Sequence, residues 1–217
     1  MAESFDRSGK KKIPLCVIAG PTASGKTALA VETALQLNGE VVSADSMQIY
    51  RGFPIATARP TQEEMKGIPH HLLGFLDVKE SFSVAQYVIM AHDVIQDIAS
   101  RGRLPILAGG TGLYISSVVD NLVFDPMPED VALKEHLRRR VEQEGGEALL
   151  EELRMYDPET AAQLHPNNVG RIIRALEVYQ LTGNTMSEQR RKSRTVPSPY
   201  HACMFGLNYH DREKLYQ

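Results

Sequence analysis

The chain has 217 residues, with 24 lysines and arginines against 27 aspartates and glutamates, for a formal net charge of −3. Its 42% apolar content can fill one large core, or a core with a small insertion, whereas the charge balance excludes a globally basic nucleic-acid binder and leaves that role to local clusters. Cys16 and Cys203, both inside apolar runs, offer neither a disulfide framework nor a zinc ligand set, and no window nears the roughly 18 apolar residues that span a bilayer.

In chain order, residues 1–12 form a polar N-terminal extension without the apolar core of a signal peptide, which fits a cytoplasmic protein. The apolar run Ile13 to Ala19 reads as a strand, and Ala28 to Leu37 as the helix that follows it. Glu40 to Ala44 is a second strand. Thr61-Gln62-Glu63-Glu64 has the spacing of a capping box, so a short helix starts there. Val84, Val88, Ala91, Ile95 and Ile98 recur at spacings of four and three, predicting a helix over 83–100 with Gly102 as its stop. Leu104 to Ala108 is a third strand. Beyond Asp120 the character changes: Phe124 to Pro128 is a linker, and helices are expected over Glu129 to Glu144, Glu147 to Tyr156 and Asn168 to Leu181, with stops at Gly145-Gly146, Asp157-Pro158 and Gly183. Ala202 to Leu207 is a last strand. Strands alternating with helices imply a parallel sheet flanked by helices. The helices after the linker are an insertion, or else they continue the core.

Gly20-Pro21-Thr22-Ala23-Ser24-Gly25-Lys26-Thr27 satisfies the phosphate-loop pattern G-x-x-x-x-G-K-[ST] between a strand and a helix. In such a turn backbone N–H groups converge on an anion, the helix dipole adds to them, and Lys26 supplies a point charge. The Thr27 hydroxyl suits Mg²⁺. The motif alone does not select among kinases, nucleotide hydrolases and transferases. Asp45 ends the second strand and so points into the same crevice, as a general base or as a holder of the Mg²⁺ water shell. The third strand ends in Gly109-Gly110-Thr111-Gly112, a second glycine turn without the acid that a motor ATPase places there; an extra ligand contact and close strand-helix packing both explain it. His136 to Arg140, Arg171 with Arg174, and Arg190 to Arg194 are basic clusters that either track a phosphate backbone or form solvated helix faces. His70-His71 reads as local packing rather than a metal pair.

The phosphate loop, Ser43 to Arg51, Thr57 to Thr61, Pro69-His70-His71-Leu72, Gly109 to Tyr114 and Arg171 to Glu177, in that order, resemble the tRNA dimethylallyltransferases over nearly the whole chain. The resemblance implies a P-loop NTPase-like parallel sheet over 13–122, a small all-helical tRNA-binding insertion over 123–182, and a return to the core over 183–217. It implies transfer of a dimethylallyl group from dimethylallyl diphosphate to N6 of an adenosine beside the anticodon of tRNA, with release of diphosphate. Gly20 to Thr27 would bind the diphosphate, with Lys26 and Thr27 catalytic and Thr27 on Mg²⁺. Asp45 would be the general base. Asp45, Ser46, Met47, Gln48, Thr111, Lys134, Arg171, Ile172, Ile173 and Arg174 would contact tRNA, and the protein would act as a monomer. Ala56, Gly74, Asn168 and Gly170 depart from the family pattern, none of them in the phosphate loop. Similar proteins continue past Gln217, so a fragment with impaired activity is expected. A small-molecule kinase and an inactive RNA-binding remnant are the alternative readings.

Overall fold

In this computed structural model, which describes residues 11–53, 55–124 and 130–208, the strands are β1 (Ile13–Ala19), β2 (Gly39–Ser43), β3 (His70–His71), β4 (Leu104–Gly109) and β5 (Tyr200–Gly206). They pair in the order β3-β2-β4-β1-β5, every pair parallel. β1 and β4 read as continuous apolar runs because each has a neighbour on both sides and helices over the faces, and β2, also central, is buried along its whole length although it carries Glu40. β5, at an edge, is exposed along most of its length.

Four helices belong with the sheet: α1 (Lys26–Leu37), α2 (Gln62–Met65), α3 (Val84–Ser100) and α4 (Gly112–Val119). α1 buries Ala30, Val31 and Ala34. α3 buries Tyr87, Val88, Ala91, Ile95 and Ile98; the last four belong to the stripe its sequence period predicts, Tyr87 joins it and Val84 is half-buried, and Ser83 and Gln86 close a capping box at its start. Each buried Val or Ile contributes about 1.5–3 kcal/mol of transfer energy. The expected capping box at Thr61 and Glu64 is formed as well. Two details were not anticipated. β3 is too short to show a period, and β5 starts at Tyr200, two residues before the apolar run.

Glu40 is the other surprise. It is 2% exposed on β2, and three groups hold its carboxylate: Arg101 at 2.5 and 3.0 Å, Arg103 at 2.8 Å and the His71 Nε2–H at 2.7 Å. The Arg101 hydrogen bonds first, then His71, hold its carboxyl down at about 2 despite burial.

These elements form one compact unit, Met1–Leu122 with Pro197–Gln217; the second unit is Val123–Val196. The second contains α5 (Val131–Tyr156), α6 (Pro158–Ala161), α7 (Val169–Thr182) and α8 (Met186–Ser193). α5 is broken at Gly145, whose φ of 84° and ψ of 161° leave the helix where the Gly145-Gly146 pair predicts a stop. Leu137, Leu149, Leu150, Leu153, Ile172, Ile173 and Leu176 form its core. Asp157 accepts N–H bonds from Thr160 and from Ser187, both at 3.0 Å, tying the start of α6 to α8. Residues 183–196, read from the sequence as core, therefore pack with these helices. The first ten residues of the polar extension, the linker positions 125–128 with Glu129 after them, and the chain after 208 lie outside the described residues. No helix among those described is long and apolar enough to cross a membrane.

Candidate active site

The strand order sets the ends of β2, β4 and β1 side by side, so the three turns that follow them open into one cleft. The turn after β1 is the phosphate loop. Ala23 and Gly25 take positive φ, 65° and 82°, and α1 begins with no side-chain cap and no acid in its first turn. Its first N–H groups are therefore free to meet an anion. A Cβ on Gly20 would lie 2.8 Å from the Leu207 carbonyl oxygen and 2.9 Å from Ser24 Oγ, so only glycine fits there. Ser24 is buried, and its hydroxyl has no partner among the described residues.

Thr22 to Thr27 line the cleft together with Ser43, Asp45, Gln48, His70 and Gly109. Lys26 donates to the Pro21 carbonyl. Burial lowers its pKa from the ordinary lysine value, and the facing Asp45 carboxylate opposes that shift. The cradle cation and the strand-end carboxylate thus share one space.

Asp45 is fixed through one carboxylate oxygen and closely approached by Gly110 at the other. Its Oδ1 accepts the Met47 N–H at 2.9 Å, and a Cβ placed on Gly110 would sit 3.6 Å from its Oδ2 and 3.5 Å from the Gly20 carbonyl oxygen. Gly109 answers the question left by the sequence: its Cβ would fall 2.1 Å from the Ala44 carbonyl oxygen, so that glycine permits backbone contact between β4 and β2. The same carbonyl accepts the Thr111 N–H at 3.1 Å. Thr111 Oγ1 in turn accepts the Ser46 N–H at 2.9 Å. Behind this clamp the buried Tyr87 donates its hydroxyl to the Ser43 carbonyl at 2.9 Å and stacks on Tyr114 with ring centroids 3.9 Å apart. None of these long-range contacts has a local sequence signal.

Gln48 donates to the carbonyls of Thr57 at 3.2 Å and Ala58 at 3.0 Å and accepts from Ser43, so its amide orders the 57–58 loop. His70 and His71 are structural: His70 Nδ1–H donates to the Ile68 carbonyl at 2.8 Å, and His71 belongs to the Glu40 network. In the helical unit, Ile172 and Ile173 are buried core residues and present no side chain to a partner. Arg171 and Arg174 are exposed on α7 and line a groove with Gly170 and Arg190, while Lys134 is half-buried on α5. Among the described residues no group of three or more His, Cys, Asp or Glu side chains can hold a metal. A divalent cation beside Thr27 must therefore take most of its ligands from phosphate oxygens and water, which is how Mg²⁺ is usually bound at such sites.

The model of the family described as IPP transferase matches residues 48–217. A tRNA dimethylallyltransferase of Caldanaerobacter subterraneus subsp. tengcongensis is 48% identical over 206 residues, covering 94% of this chain and 65% of that protein. That of Bacillus subtilis is 45% identical over 206 residues, covering 95% and 65%. Both matches are too long to leave out the phosphate loop. Among solved structures, the full-length tRNA isopentenylpyrophosphate transferase of Bacillus halodurans matches with a TM-score of 0.61 and 45% identity, over 94% of this chain and 63% of that one. A eukaryotic dimethylallyltransferase acting on tRNA matches with a TM-score of 0.73 and 30% identity, over 90% and 48%. The chain thus spans somewhat less than two thirds of the length of the bacterial relatives and about half of the eukaryotic one.

Proposed function

Since the chain belongs to the IPP transferase family, we propose that it transfers a dimethylallyl group from dimethylallyl diphosphate to N6 of an adenosine adjacent to the anticodon of tRNA, releasing diphosphate. The observation that carries this reading is the Asp45 carboxylate in the same cleft as Lys26 and the uncapped start of α1. The N–H groups of the loop, with Lys26, bind the diphosphate and stabilise the charge that grows on it as the allylic C–O bond breaks. Thr27 would hold Mg²⁺, which when bound adds positive charge beside the phosphates. Asp45 accepts the proton that N6 loses as the C–N bond forms. An exocyclic amine cannot reach the allylic carbon from within a base stack, so the adenosine must be swung out of the loop. Arg171 and Arg174 grip the RNA by its phosphates.

Asp45→Asn tests the assignment. Transfer to an anticodon stem-loop should fall by about 10² to 10⁴, the usual worth of a positioned base, while diphosphate affinity stays within about twofold. Turnover near the parent level removes Asp45 as the base. A thermal-shift comparison separates the kinase reading: a ligand at 100 times its Kd adds about 2.7 kcal/mol of stability, and this should appear with dimethylallyl diphosphate rather than with ATP.

A further inference from the structure

The two cysteines stand far apart in the sequence, where their spacing gives no disulfide framework, but the fold sets them side by side. In the parallel pairing of β1 with β5, Cys16 lies directly opposite Cys203, between the pairs Leu15 with Ala202 and Val17 with Met204. Register partners of this kind project from the same face of a sheet, so both thiols lie on the face where Ala30 and Ala34 of α1 pack with Cys16. Neighbouring strands run about 4.7–4.9 Å apart, inside the span of about 4.4–6.8 Å between Cα atoms that a disulfide bridges. The two thiols differ in access: Cys16 is buried and Cys203 is exposed. Burial foremost, and then the nearness of Cys203, push the Cys16 thiol above its ordinary value. The transfer chemistry uses neither.

We propose that Cys16 and Cys203 are a redox-active dithiol, which hydrogen peroxide closes to a disulfide that braces β5 against β1. The exposed Cys203 reacts first. As the thiolate, its Sγ attacks one peroxide oxygen, the O–O bond breaks, hydroxide leaves to become water, and Cys203 is left as a sulfenic acid. Cys16, as the thiolate, then attacks that sulfur; the S–S bond forms, the S–O bond breaks, and the departing hydroxide takes up a proton as the second water. Two thiols have lost two electrons and two protons, and one peroxide has become two waters. No third cysteine competes within the chain. The bond falls where a brace has an effect. β5 has a partner strand on one side only, and Leu207, just past its end, donates its N–H to the Ala19 carbonyl at 2.7 Å. The Leu207 carbonyl oxygen is also the atom that a Cβ on Gly20 would meet at 2.8 Å. The edge strand therefore buttresses the first residue of the phosphate loop, whatever ligand the loop holds.

The test treats the folded chain with hydrogen peroxide and follows its thiols, mass and backbone exchange, none of which depends on prenyl transfer. Both free thiols should disappear, the intact mass should fall by two hydrogen atoms, and a proteolytic digest should yield the Cys16 and Cys203 peptides joined. The β5 amides should then exchange with deuterium severalfold more slowly, and the urea midpoint should rise. Dithiothreitol should reverse both effects. Cys203→Ser, at an exposed position, should keep the Cys16 thiol free under the same treatment and show neither change. Cys16→Ser should instead stop at the sulfenic acid on Cys203, which dimedone traps there and not in the parent. A parent chain that gains oxygen at Cys203 while Cys16 stays free, or that joins Cys203 of two molecules, overturns the dithiol. A Cys16–Cys203 bond that leaves β5 exchange and the urea midpoint unchanged overturns the brace.

Discussion

Gly109→Ala puts a single methyl group where the backbones of β4 and β2 touch. The new Cβ would meet the Ala44 carbonyl oxygen at 2.1 Å, its carbon at 2.3 Å and its Cα at 2.8 Å, all main-chain atoms that no rotamer can move aside. Reaching ordinary contact at 3.4 Å requires about 1.3 Å of separation between the strand ends. That shift draws the Ala44 carbonyl away from the Thr111 N–H and carries Asp45, the next residue, with it. Overpacking of this kind costs about 1–3 kcal/mol of stability, and a displacement of about 1 Å at a reacting group costs about 10²-fold in rate. The variant should remain folded and lose about 10²-fold in turnover. Its diphosphate affinity should change little, because Gly20 to Thr27 follow a different strand. Urea unfolding, diphosphate titration and stem-loop transfer measure the three quantities. Parent-level turnover in a folded variant refutes the claim that this contact positions Asp45.

Lys26→Ala should weaken diphosphate binding and lower transfer by about 10² to 10³, the usual loss for one donor to a developing anion, without altering the free energy of unfolding beyond about 0.5 kcal/mol; an unchanged dissociation constant removes it from the cradle. Replacing Arg171 and Arg174 together by Gln should weaken stem-loop binding and reduce its salt slope by about one per arginine, and an identical slope excludes them from the RNA interface. Glu40→Gln should destabilise the protein in a pH-dependent way. Its carboxyl is lowered from 4.5 to about 2, so its contribution is complete above the unfolded value and fades as pH falls from about 4.5 towards 2; the full linkage is about 3 kcal/mol, trimmed to about 2 by screening, since Arg101 and Arg103 are 41% and 40% exposed. Urea titrations at neutral pH and near pH 2 should show that gap and then its closure, and a gap independent of pH counts against the ion network.

The parts of the fold legible in the sequence are those fixed by short-range physics. β1 shows itself as an uninterrupted apolar run, α3 as a period with a capping box, the α5 break as Gly145-Gly146, and the phosphate loop as residue types that only a turn of positive φ and a helix start together require. What could not be read depends on partners far along the chain. Glu40 looks like a charge at the edge of a strand until Arg101, Arg103 and His71 converge on it. Thr111 looks like a ligand contact, yet its hydroxyl is occupied by Ser46. Ile172 and Ile173 lie in a basic motif but face the core, because α7 buries one stripe, Ile172, Ile173, Ala175, Leu176 and Val178, whatever the arginines beside it do. β3, with two residues, has no period to detect.

The same division predicts which substitutions separate chemistry from folding. Lys26 and Asp45 line an open cleft and contribute little to either core, so their loss should leave a stable chain that does not turn over. Tyr87 and Glu40 lie outside the cleft and Gly109 borders it, and each fixes β2 from a different direction: Gly109 through the contact of its backbone with Ala44, Tyr87 through its hydroxyl on the Ser43 carbonyl, Glu40 through the ion network at the strand's start. Changes there should lower stability and turnover together. Because β2 ends at Asp45's threshold, its rigidity is the means by which a carboxylate in an open cleft keeps a defined direction. Tyr87→Phe is the mildest probe of that link, since it removes one buried hydrogen bond, worth about 1 kcal/mol, and leaves the ring stacked on Tyr114.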